Sequence, residues 1–173
     1  MTKAPQRIYW DACTWIAYIQ KEMPGPRSTV TDPRFTMCKQ TLVRATAGEI
    51  EIVTSAATLA EVCRTGKSHS PVANLPAFFD QPYILIVNVD KRVGSRAQSL
   101  QLAGVGPAIK PFDALHVASA LIAKVDFFHT FDDGLLRLSE TLNCDDGRPL
   151  KIVKPTEEIP PPPLFAPKEP GEG

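Results

Sequence analysis

Residues 111–134, PFDALHVASALIAKVDFFHTFDDG, decide the fold, because a helix, a strand and an acidic turn follow one another there with almost no loop between them. Pro111 suits the first helical position, where its missing N–H leaves no bond unmade, and the helix it opens runs to about Lys124. VDFFHTF, 125–131, is β-prone and apolar, and Asp132 stands directly after it. Downstream, DGLLRLSETL has amphipathic helical spacing and 150–153 makes a weaker strand.

The same alternation extends upstream. RIYW, 7–10, is a short strand leading into Asp11 and a helical pattern through Trp15, Ile16, Ile19 and Met23. PGPRSTVTDPR, 24–34, is a loop before a helix at about 35–47, which Gly48 stops. EIEIVTS, 49–55, is a second strand, followed by a short helix that carries Glu61. After a polar stretch at 65–71 and a short helix at 72–79, PYILIVNVD, 82–90, is the clearest buried strand, with helix resuming to about Leu102 and a loop at 104–110. Strands alternating with helices predict a parallel α/β sheet covered on both faces, with its strand-to-helix junctions along one edge. Ligands bind at that edge in open α/β sheets.

One ordinary core is what 173 residues, 43% of them hydrophobic, can bury. We expect a single domain over 1–154. Residues 155–173 hold seven prolines, four consecutive at 160–163, and are expected to form an extended or disordered tail. Nineteen Lys plus Arg balance nineteen Asp plus Glu, so global basicity does not advertise nucleic-acid binding, and any such affinity must come from a local patch. Apolar runs are strand-sized and the N-terminus lacks a signal-peptide core, which predicts a cytoplasmic protein without a membrane span. Cys13, Cys38, Cys63 and Cys144 show no metal or disulfide spacing and read as reduced, mostly core-filling thiols.

Four acids converge in this scheme. Asp11 and Asp132 each follow a strand, Asp113 opens a helix, and Glu61 sits on the short helix after the second strand. Singly, each Asp is an equally good helix-start residue, and Glu61 an ordinary helical one. Together, carboxylates within a few ångströms repel one another unless a cation offsets the repulsion. Oxygen ligands without accompanying His or Cys favour Mg²⁺ or Mn²⁺, and such an ion, with open positions for phosphate, suits phosphodiester hydrolysis.

In these residues the sequence resembles the PIN-domain family, especially the VapC-type toxins of toxin–antitoxin pairs. The family's acids fall on Asp11 in IYWDACTWIAYI, Glu61 in TLAEV, Asp113 in DALHVASA and Asp132 in HTFDD, and DALHVASA is the most specific match. The resemblance implies a three-layer sandwich with a five-stranded parallel sheet, Mg²⁺- or Mn²⁺-dependent cleavage of RNA, an antitoxin partner and a homodimer. Members often carry Ser two residues after the first Asp, where this chain has Cys13 and then offers Thr14. Thr130 matches the Thr before the fourth Asp and could orient Asp132 or a bound water. Asp133 competes with Asp132 as the fourth acid, and His116 lies one turn after Asp113 but stays outside the catalytic set.

Arg64, Lys67, Lys91, Arg92 and Lys110 could rim the acidic pocket for RNA, and the 24–34 loop could dock an antitoxin. Two rivals compete with the nuclease. A phosphatase of the haloacid-dehalogenase kind also places an Asp after its first strand, but Cys13 stands where it needs a second Asp. A non-catalytic PIN-like RNA- or protein-binding module would keep the acidic edge without turnover.

Overall fold

The computed structural model describes residues 5–19, 34–63, 79–104 and 109–155. Met23, the 24–33 loop, Arg64, Lys67, the polar 65–71 stretch, most of the expected 72–79 helix and the tail from 156 onward lie outside the described residues. The elements run β1 (Gln6–Trp10), α1 (Ala12–Ile19), α2 (Arg34–Thr46), β2 (Ile50–Ser55), α3 (Ala56–Cys63), β3 (Ile84–Val87), α4 (Lys91–Leu102), α5 (Pro111–Ala123), β4 (Phe127–His129), α6 (Asp133–Leu136) and β5 (Lys151–Val153). All strand pairings are parallel, in the order β3-β2-β1-β4-β5. The expected five-stranded parallel sheet is therefore present.

Period-two alternation explains why both faces are covered. Ile8 and Trp10 of β1 and Ile50 and Ile52 of β2 point to one face, where Trp15, Cys38, Leu42 and Ala45 of α1 and α2 meet them. Tyr9, Val53 and Phe128 point to the other, against Val93, Ala97 and Leu100 of α4 and Ala114, Val117 and Leu121 of α5. Small residues at Ala114, Ala118 and Ala120, each 0% exposed, let α5 lie close against the sheet. That proximity puts the start of α5, with Asp113, beside the ends of β1 and β4.

Helices α4 and α5 run antiparallel. Gln101 at the end of α4 reaches the Ile109 carbonyl just before α5, whereas Arg96 reaches Asn143, near the far end of α5. Arg92 at the start of α4 pairs with Asp145, whose N–H bonds the Leu121 carbonyl. Eight residues of helix, about 12 Å at 1.5 Å per residue, separate Leu121 from Asp113. Arg92 thus belongs to the opposite end of the helix from the acids, and its expected place on the pocket rim is corrected.

Three sequence-derived elements are shorter than expected, each for a physical reason. The PYILIVNVD segment forms only the four-residue β3, at the sheet edge, with Ile86 36% and Val89 43% exposed. Its apolar run suggested a buried strand through to Asp90, but Asp90 is diverted to cap α4 by accepting from the Val93 N–H. Strand β4 spans three residues because Thr130 and Asp132 turn the chain. The DGLLRLSETL helix stops after one turn, and Glu140 takes a left-handed φ of 62°. There the chain hooks back, with Glu140 N–H donating to Leu150 O and Leu150 N–H to Leu142 O. The periodic Leu135, Leu138 and Leu142 still reach the core, so the pattern reports burial correctly while the backbone path differs.

Candidate active site

Asp11 is 4% exposed and follows β1 directly. Its carboxylate caps α1: Oδ1 accepts from the Thr14 N–H at 2.9 Å and the Thr14 hydroxyl at 2.8 Å. Oδ2 accepts from the Thr130 hydroxyl at 2.6 Å, across from β4. The Cys13 thiol, 3.0 and 3.2 Å from the two oxygens, donates as well. Cys13 is therefore not the buried hydrophobe the sequence suggested. Burial, and then the Asp11 charge, push its thiol far above the ordinary value, which keeps the proton in place to donate.

Thr130 links two acids, since its hydroxyl oxygen also accepts from the Asp132 N–H at 3.0 Å. Asp132 caps α6, its Oδ1 accepting from the Gly134 N–H at 2.7 Å and the Leu135 N–H at 3.1 Å. Oδ2 accepts no hydrogen bond among the described residues. Ile109, Lys110, Asp113, Asp132, Gly134 and Leu135 line a cavity of about 200 Å³. Partial burial, and next the Asp132 charge, hold the Asp113 carboxyl above its ordinary value; Asp11 adds to this, while Lys110 and His116 oppose it. Asp133 is exposed at the first position of α6, and its side chain makes no hydrogen bond or ion pair among the described residues.

A Cβ on Gly134 would lie 2.8 Å from Asp132 Oδ1, closer than such contacts run. Gly134→Ala is therefore expected to turn Asp132 off its cap while sparing the core. A 1 Å misplacement of a catalytic group can cost on the order of 10²-fold. Assay of RNA cleavage beside thermal melting checks this, and a variant equal to wild type in both would show that Asp132 needs no fixed orientation.

Glu61 is reached from a different direction. Its Oε2 stands 2.6 Å from His116 Nε2, and His116 Nδ1 stands 2.8 Å from the Tyr9 hydroxyl. Burial foremost, and then the Asp11 charge, hold Tyr9 well above its ordinary value, so its hydroxyl keeps a proton. Sequence reasoning placed His116 one turn after Asp113 and outside the catalytic set, as a packing residue or an outer partner of the site. Its contact with Glu61 was not legible, because that partner comes from α3.

Of the expected basic rim, Lys110 stands beside the acids, whereas Lys91, next to Arg92 at the start of α4, belongs like it to the far end of α5. Arg34 places its guanidinium 5.8 Å from the centre of the Phe131 ring, next to Asp132. The acids supply hard oxygen donors with mutual repulsion, the donor set that Mg²⁺ or Mn²⁺ takes. Among the described residues, no three His, Cys, Asp or Glu groups stand ready to enclose an ion.

With this geometry in place, comparison with known proteins defines the class: the PIN domain family matches residues 30–140, well over half of the chain, and the chain belongs to that family. The matched stretch contains Glu61, Asp113, His116 and Asp132, while Asp11 precedes it. Among solved structures, VapC20 of Mycobacterium tuberculosis, a sarcin–ricin loop cleaving toxin, is similar in fold, with a TM-score of 0.56 at 16% identity, covering 73% of this chain and 90% of its own. No curated protein sequence matches the chain. No helix among the described residues is long and apolar enough to cross a membrane.

Proposed function

We propose that the chain is a divalent-cation-dependent endoribonuclease hydrolysing RNA phosphodiester bonds, and the toxin of a VapC-type toxin–antitoxin pair, acting as a homodimer with a cognate antitoxin. The observation that carries this reading is a PIN-family chain in which Asp113 and Asp132 line one cavity and the Thr130 hydroxyl joins Asp132 to Asp11. VapC20, a fold neighbour that cleaves the sarcin–ricin loop, favours RNA as the substrate class.

Asp11, Asp113 and Asp132, with Glu61, would hold Mg²⁺ or Mn²⁺. Bound there, the cation supplies water activation and neutralises charge at the phosphate. The chain's own residues prepare this site. Thr14 and Thr130 donate to Asp11 and fix its carboxylate, which need not then reorganise when substrate arrives. The first N–H groups of α6 hold one oxygen of Asp132 and leave the other for ligation. Lys110, beside Asp113 and Asp132, is placed to pair with a phosphate oxygen.

A cation that binds only the folded protein stabilises it by about 2.7 kcal/mol at 100 times its Kd. Mn²⁺ is thus expected to raise the melting temperature of metal-free protein and to support RNA cleavage that EDTA abolishes. Asp113→Asn is expected to lose both effects. Equal cleavage in EDTA overturns the cation requirement, and RNA binding without cleavage under either cation leaves a scaffold in place of an enzyme.

A further inference from the structure

Asp11 and Asp132 have donors from their own turns and neighbours that fix them, whereas Glu61 has no turn or cap of its own. Asp11 is held by Thr14 and Thr130, and Asp132 by the start of α6. Glu61 sits instead inside the eight-residue α3 on a long, rotatable side chain that keeps 26% of its surface exposed. An unanchored Glu samples many rotamers, and fixing it costs side-chain entropy. The group that meets it is His116, 2% exposed and carried by α5, the helix that also carries Asp113.

The hydrogen-bond inventory orders this chain. An ionised carboxylate only accepts, so His116 must carry its proton on Nε2 to satisfy Glu61. In the neutral ring Nδ1 is then an acceptor, and the Tyr9 hydroxyl stands 2.8 Å away to donate to it. Tyr9 is wholly buried on the central strand and stacked on Phe128 at 4.8 Å. The ring is thereby clamped from the most rigid part of the sheet. A histidine that merely filled space would need no carboxylate partner, and an apolar residue would pack there without polar groups to satisfy.

We propose that His116 is the positioning residue for Glu61: held at Nδ1 by Tyr9, its Nε2–H keeps the Glu61 carboxylate against α5, the helix that carries Asp113. This rests on the nuclease reading of the same site and adds to it a route from the sheet core to one acid. His116 transfers no proton in this scheme. It acts through Glu61, as the outer partner of a ligand does.

Two measurements test it on the full chain. In metal-free, ¹⁵N-labelled protein, long-range ¹H–¹⁵N spectra are expected to show His116 protonated at Nε2 and bare at Nδ1, with shifts that move in Tyr9→Phe and Glu61→Gln. An Nδ1–H ring, or one indifferent to both substitutions, overturns the proposal. By calorimetry, His116→Asn is expected to weaken Mn²⁺ binding by about 10–100-fold. His116→Gln, whose amide N–H reaches nearer the Nε2 position, is expected to recover most of the affinity. Glu61→Gln combined with His116→Asn is expected to bind no more weakly than Glu61→Gln alone, because both remove one coupled unit. Independent, additive losses, or a folded His116→Asn that binds Mn²⁺ as wild type does, overturn it. Tyr9→Phe, which keeps the packed ring, covers the case in which His116→Asn does not fold. If wild type binds no Mn²⁺, the nuclease reading falls while the spectra still decide the role of His116.

Discussion

Asp11→Asn is expected to lose RNA cleavage in Mn²⁺ by more than about 100-fold, the upper end of what removing even an outer partner of a metal ligand costs. The loss should exceed anything folding explains. The amide keeps an oxygen for the Thr14 N–H and hydroxyl, but its NH₂ faces Thr130, whose hydroxyl oxygen already accepts from Asp132. A misplaced donor of this kind costs about 1–3 kcal/mol. Against that, removing one of three mutually repelling carboxylates relieves Asp113. Circular dichroism and urea melts should therefore report a folded protein of similar or modestly lower stability, while gel assay of a structured RNA reports no product. A variant that still cleaves would remove Asp11 from the chemistry.

Phe128→Ala is expected to be among the most destabilising single changes, at about 3–5 kcal/mol, as truncations of buried Phe commonly are. Phe128 is 0% exposed in β4, with its ring stacked on Tyr9 and its cluster including Val117, Leu121, Leu135 and Ile152. A cavity there has little freedom to collapse, since strands on both sides and α5 above hold it open. Domains of this size are commonly stable by only 5–15 kcal/mol, so the midpoint of urea unfolding should fall steeply. Tyr9 would also lose the ring that supports it and, through it, the clamp on His116. A loss of unfolding free energy under about 1 kcal/mol would mean that β4 is not central to the core.

Much of the architecture was legible because hydrophobic period and chain punctuation are local properties. Pro111 at the start of α5, Gly48 with a φ of +75° after α2, and the apolar alternation of β1 and β2 each fixed an element without reference to anything distant. Strand rank was not local. PYILIVNVD and VDFFHTF are both apolar, yet the first lies at the sheet edge and the second next to β1, an order set by pairing between residues far apart in sequence. Helix length after Asp132 was equally hidden, because the hook from 138 to 150 closes on contacts such as Leu150 with Leu142.

For the site, the sequence by itself singled out the candidate residues: four acids at element starts or on a short helix, and the two threonines near them, since each stands in a short readable context such as DALHVASA or HTFDD. Only the tertiary structure decided what holds those acids. That Cys13 donates to Asp11, that Gly134 leaves room for Asp132, that Arg92 is drawn to the far end of α5, and that Tyr9 and His116 reach Glu61 are all relations of direction and distance. A residue's chemistry is written in its side chain, but the partner that fixes its orientation comes from another strand or helix, and only packing brings the two together.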